Sequence, residues 1–189
     1  MQPQFYDAVR ADIFNGTMSA EQVDGCETIM AAWGSLEPSA DPRWAAYSLA
    51  TAFWETGRTM QPVREVGAGR GRSYGHPTGK WGQIYYGRGD VQETWERNYV
   101  FATSKLRVRG ILTMVEDLDR TPDLALRPDI SAAILVLGMA EGWFTGRKLS
   151  DFFTGTRSDW VDARTIINGH DKASTIAAFG LHFYHALQA

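Results

Sequence analysis

Cysteine is nearly missing from this chain. Cys26 is the only one in 189 residues, so no internal disulfide can form. A lone cysteine suits synthesis in a reducing compartment, and Cys26 itself reads as a small buried apolar residue on a helix. No base lies near it in sequence, which argues against a catalytic thiol. Long apolar runs are missing as well. The longest, such as Ile134–Ala140, are far too short to span a bilayer, so no stable membrane insertion is expected. Met1–Arg10 is polar and lacks the basic-then-apolar layout of a secretory signal, so export would need another agent. Positive charge is not in excess either. A net charge of −3 excludes a nucleic-acid binder by overall charge. Internal repeats and low-complexity linkers are also lacking, which makes residues 1–189 a single expected domain.

What is present is the balance of a globular protein, 44% hydrophobic and 22% charged. Helical patterns dominate, and the expected class is mainly α. Gln4–Phe14 reads as a short helix ended by Asn15-Gly16. Ser19 with Gln22 three positions on forms a capping box for a second helix running to about Trp33. Asp41-Pro42 starts a third, an N-cap followed by proline at the first helical position, and that helix runs to about Arg58. Further helices are expected from Asp90 or Val91 to about Ser104, from Gly110 to Leu118, from Asp159 to Ile167 and from Lys172 to Leu187. Asp129–Trp143 is apolar on nearly every side and should be buried centrally.

Residues 59–89 stand apart. Pro62, Pro77 and a run of glycines from Gly67 to Gly89 leave no helical period, so a long structured loop is expected, with a small β-hairpin around Gln83–Tyr86. Loops of this length in compact domains tend to be functional. Residues 56–89 also carry six cations against Glu65 alone, a charge that could steer an anionic polymer or simply be solvated.

On the third helix, Ala46, Leu49, Ala50 and Phe53 form a core stripe, and Glu55 lies on the opposite face beside Trp44, Ser48, Thr51 and Arg58. That face is poor in charge. Partial desolvation beside Trp54 and the negative end of the helix dipole both favour a protonated carboxyl, and Arg58 opposes them. A carboxylic acid held protonated is what glycoside cleavage asks of its proton donor. From position alone, however, Glu55 reads first as a surface glutamate near a helix end. A glycosidase needs a second carboxylate as well. Glu65 is the obvious candidate, with Asp90 and Glu93 as rivals; Asp90 also reads as an N-cap, and Glu93 as a first-turn complement to the helix dipole.

The richest string is Tyr85-Tyr-Gly-Arg-Gly-Asp-Val-Gln-Glu-Thr-Trp-Glu-Arg-Asn-Tyr99. Two glycines flank an arginine, and Gln92, Thr94 and Asn98 add hydrogen-bonding side chains beyond it. Aromatic faces with amides beside them suit a sugar. This string resembles the YYGRG signature of glycoside hydrolase family 19, the class I chitinase family. Ala52-Phe-Trp-Glu-Thr-Gly57 resembles that family's H-E-T-G block. The Thr59-Met-Gln-Pro-Val-Arg-Glu65 run and the Tyr74-Gly75 spacing are similar to the phage-type members, endolysins that hydrolyse peptidoglycan. Gly142-Trp-Phe-Thr-Gly146 with Lys148-Leu149, and Ala163-Arg-Thr-Ile-Ile-Asn-Gly169, complete five blocks in the family's order over roughly residues 41–187.

The resemblance implies a lysozyme-like helical fold with the glycine-rich loop lining a cleft. It implies Glu55 as general acid, Glu65 as general base and Thr94 as a holder of the attacking water. Gln92, Asn98, Tyr85 and Asn168 match substrate-contacting positions, joined by Tyr74 and Arg88 from the loop. Arg164 matches an arginine near the acidic pair. Trp54 departs from the family's histidine before the acid, and Glu93 departs from its apolar residue after the glutamine. The spacing from Glu55 to Glu65 is that of phage members and much shorter than in plant chitinases.

The expectation is an endolysin-type hydrolase cutting the β-1,4 bond between N-acetylmuramic acid and N-acetylglucosamine with inversion, without metal or organic cofactor. Its partner would be peptidoglycan strands. The protein would act as a monomer, made in the cytoplasm and working at the cell wall after a holin-type partner opens the membrane. A chitinase and a non-catalytic glycan-binding module are the alternatives. A zinc site at His170, His182 and His185 lacks a supporting cysteine or carboxylate cluster, and His76 reads as exposed.

Overall fold

The computed structural model describes residues 2–189. Six α-helices carry the architecture: α1 (Pro3–Asp12), α2 (Ala20–Leu36), α3 (Pro42–Glu55), α4 (Glu96–Val108), α5 (Pro128–Glu141) and α6 (Ala173–Leu187). Two antiparallel pairs, each two residues per strand, supply the described sheet: β1 (Val63–Arg64) with β2 (Arg88–Gly89), and β3 (Phe153–Thr154) with β4 (Arg157–Ser158). No helix among the described residues is long and apolar enough to cross a membrane.

Local chemistry sets the helix starts. The Ser19 hydroxyl accepts from the Gln22 N–H, and the Gln22 side chain accepts from the Ser19 N–H, so the capping box closes both ways. The Asp41 carboxylate accepts from the Arg43 N–H ahead of Pro42. α3 ends at Glu55 rather than Arg58, because Gly57 (φ +61°) and Arg58 (φ +74°) turn the chain away.

The core is continuous and built around α3 and α5. α5 is buried from Ile130 to Met139, so its apolar periphery packs on all sides. α3 is equally enclosed, packed chiefly against α6, and this corrects the two-faced reading of that helix. Ser48 and Thr51 are buried with the rest of the stretch from Ala45 to Phe53. Their hydroxyls are satisfied inside: Ser48 donates to Met139 Sδ and Thr51 to the Tyr47 carbonyl. Cys26 lies in the same core.

Four further expectations change. The helix after the loop begins at Glu96 rather than Asp90 or Val91. Gln92 (φ +55°) and Trp95 (φ +75°) are left-handed there, and Arg88 pairs with Glu93 through both backbone hydrogen bonds. The segment 110–118 forms turns, with Leu112 and Leu118 buried as anchors. Of the expected helix 159–167 only a 3-10 stretch, Asp162–Ile166, remains. The expected hairpin at Gln83–Tyr86 is likewise relocated. Gln83 makes a single bridge with Thr78, while the loop is closed at its ends by Val63 opposite Gly89 and Arg64 opposite Arg88.

Candidate active site

Glu55 is the last residue of α3, and its side chain is 17% exposed. It opens on a cavity of about 500 Å³ lined also by Tyr74, Gln92, Glu93, Thr94, Asn98, Phe144 and Asn168. A second cavity of about 430 Å³ adjoins it and is lined by His76, Thr78 and Arg97. Tyr74 and Trp95 border both, their rings edge to face at 5.4 Å, so one groove runs on either side of an aromatic ridge. Cα-level pattern could not place Phe144 here. It follows α5, and its ring packs where a Cβ on Gly138 would sit 2.2 Å away.

The charge beside Glu55 comes from far along the chain. Arg164, 4% exposed, donates from Nη1 to Glu55 Oε1 at 2.6 Å and from Nε to the Asp171 carbonyl at 3.3 Å. Arg58, the neighbour expected from helix position, lies instead over the Phe53 ring. This pair fixes the orientation of the Glu55 carboxyl, because the buried Arg164 charge would be costly without a partner.

Glu65 stands behind Tyr74. Its Oε1 accepts from the Tyr74 hydroxyl at 2.8 Å and its Oε2 from the Gly87 N–H at 3.1 Å, while its own N–H donates to the Gly87 carbonyl. Burial, and then the Glu65 carboxylate, raise the Tyr74 phenol, which keeps it a donor. Asp90 lies elsewhere. It is buried against α5, where the Ser131 hydroxyl donates to Oδ2 at 2.6 Å and accepts from the Asp90 N–H. Burial pushes Asp90 up to about 6 against that bond. It neither caps α4 nor lines the groove. Glu93 does line the groove, and burial pushes it up to about 8. A group protonated at neutral pH is a poor proton acceptor, which counts against Glu93 as a base; Glu65, like Asp90, is not among the residues lining the two cavities.

The polar groups on the groove are held by backbone. The Gln92 amide donates to the Val63 and Gly89 carbonyls, tying the loop's two ends together. Thr94 donates to the Gln92 carbonyl, and Asn98 to the Thr94 carbonyl. Asn168 accepts from the Gly169 N–H. The two remaining expected contacts are buried. Tyr85 is 1% exposed, with its hydroxyl on the Asp119 carbonyl, and still lines the second cavity. Arg88 is 5% exposed and spends its donors on Asp123, the Ile84 and Tyr86 carbonyls and the Tyr99 hydroxyl. These two build the floor under the loop. Gly89 explains the glycine that follows Arg88: at φ +84° a Cβ would come 2.9 Å from Ser131 Oγ and 3.0 Å from the Ala125 carbonyl.

The C-terminal histidines have separate partners. His170 pairs with Asp162 and His182 with Asp12. No group of three or more metal-ligating side chains occurs among the described residues.

An α-helical body with a groove between the end of α3, the β1–β2 loop and the segment after Asp162–Ile166 is the lysozyme-like fold of glycoside hydrolase family 19. Chitinase C from Streptomyces griseus HUT6037 shares it with a TM-score of 0.58 and 20% identity, over 100% of this chain and 76% of that one. A class IV chitinase of the same family from Zea mays gives 0.60 at 16% identity, over 97% of this chain and 92% of that one. No protein-family model and no curated protein sequence matches the chain.

Proposed function

We propose that the protein is an endo-acting hydrolase of bacterial peptidoglycan that cuts the β-1,4 bond between N-acetylmuramic acid and N-acetylglucosamine. The observation that carries this reading is Glu55. A carboxyl at the end of a buried helix, fixed by Arg164, faces a groove walled by amides and aromatic rings. Solved structures with this fold are described as chitinases, which supports a β-1,4-linked N-acetylated glycan as the substrate class. In this mechanism Glu55 donates a proton to the leaving sugar oxygen. Glu65, freed from the Tyr74 hydroxyl when substrate displaces that ring, takes a proton from water on the opposite face, and the anomeric centre inverts. Thr94 lies beside Glu93 on the groove wall, where it would hold that water. The basic loop favours peptidoglycan over chitin, because peptide stems carry carboxylates and chitin is neutral. The enzyme would reach the wall once a membrane-opening partner releases it.

Chitinase activity is the second reading, favoured by the names of the structural neighbours. Turbidity of outer-membrane-stripped Gram-negative cells and reducing-end release from N-acetylglucosamine oligomers separate the two. Activity on the oligomers alone would sink the peptidoglycan reading. In the cell assay, Glu55→Gln is expected to abolish lysis with an unchanged circular dichroism spectrum, and Glu65→Gln to cost at least about a hundredfold. Near-normal lysis by Glu55→Gln would overturn this mechanism, whereas a native protein that hydrolyses neither substrate would leave only a glycan-binding module.

A further inference from the structure

Glu93 holds a carboxyl that the mechanism above does not use. It is 4% exposed and lines the groove that Glu55 opens on. Its backbone cannot turn away. The N–H donates to the Arg88 carbonyl at 2.8 Å, and the carbonyl accepts from the Arg88 N–H at 3.1 Å and from the Tyr99 hydroxyl at 2.8 Å. Among the described residues, no hydrogen bond or ion pair reaches the carboxyl itself.

The charged and titratable neighbours are otherwise engaged. Arg88 on β2 is bonded to Asp123 and to the Tyr99 hydroxyl, and Glu55 on α3 is paired with Arg164. Tyr99 on α4 spends its proton on the Tyr86 and Glu93 carbonyls. An unpartnered buried carboxyl is destabilising, and the apolar residue that the resembled signature carries at this position would avoid the cost. The groove is where a partner can arrive.

We propose that Glu93 is a substrate-contacting hydrogen-bond donor, whose carboxyl O–H is given to an acceptor oxygen of an N-acetylated sugar bound in the groove. The inference rests on the reading of this groove as a glycan cleft. Desolvation supplies the proton: with burial holding the group near 8, the O–H is present at neutral pH. Ionisation above that pH would replace a donor by a negative charge facing sugar oxygens.

Calorimetric titration tests this in the Glu55→Gln background, where binding is read without turnover. The probes are the N-acetylglucosamine hexamer and soluble, uncrosslinked peptidoglycan strands. Adding Glu93→Gln, which keeps a neutral donor, should leave affinity within about threefold of the Glu55→Gln parent. Adding Glu93→Leu should weaken it at least about tenfold while melting no lower than the parent. The parent's affinity should fall as pH rises through about 8, and the Glu93→Gln protein should show no such fall. Unchanged binding by Glu93→Leu overturns the proposal, as does a Glu93→Gln protein as weak as Glu93→Leu. If the parent binds neither probe the proposal also fails. Hydrolysis by the native protein then decides separately whether the reading of the groove falls with it.

Discussion

Two buried acids set how this protein responds to pH. Burial raises Glu93 from 4.5 to about 8 and Asp90 from 3.8 to about 6, so both are neutral-favouring in the folded state. Folded-state values above unfolded ones mean that the fold binds these protons more tightly. Their contribution is therefore complete below about pH 4 and is lost as pH rises through 6 and then 8. For Glu93 the loss by pH 7 is on the order of 3 kcal/mol. Melting temperatures recorded from pH 5 to pH 9 should fall with rising pH, and Glu93→Gln should flatten the part of the curve approaching pH 8. A native curve that rises over this range would contradict the burial of both acids. At this scale the sequence was informative about identity and poor about surroundings. Glu55 could be named from its block, but its ionic partner lies 109 residues away and no helical periodicity points to it.

Element boundaries were legible where the signal is local. The Ser19 capping box and the Asp41-Pro42 start are satisfied by neighbours within three residues, and α5 announced its burial by composition. The start of α4 was not legible, because a cross-strand pairing between Arg88 and Glu93 and two left-handed residues outcompete helix propensity there. Nor was the all-round burial of α3, since Ser48 and Thr51 look solvent-facing until their hydroxyls find partners inside. The β1–β2 junction gives this scale its prediction. Gly89→Ala would place a side chain at φ +84° against Ser131 and the Ala125 carbonyl, which should cost at least about 1–2 kcal/mol in denaturant unfolding. An unchanged midpoint would show that the junction can shift at little cost.

For the molecule as a whole, the fold was legible because five blocks kept their order; the floor beneath the groove was not. Tyr85 and Arg88 carry the same residue types as a sugar contact, and only three-dimensional packing turns them inward. The uneven charge also acts at this scale. Arg64 and Arg88 are paired with Asp123, but Arg58, Arg70, Arg72 and Lys80 stay exposed within a chain of net charge −3, so initial rates on peptidoglycan should fall as salt rises from 20 to about 200 mM. Rates on a neutral N-acetylglucosamine oligomer should hardly change, and equal salt sensitivity would remove the loop from substrate capture. The reach from Glu55 to Arg164 has a consequence in time as well as in space. During translation the acid emerges long before its counter-ion, and the groove wall at Asn168 comes later still. A nascent or prematurely terminated chain thus carries the proposed proton donor without the cleft around it, and the groove is complete only when the final third of the polypeptide docks.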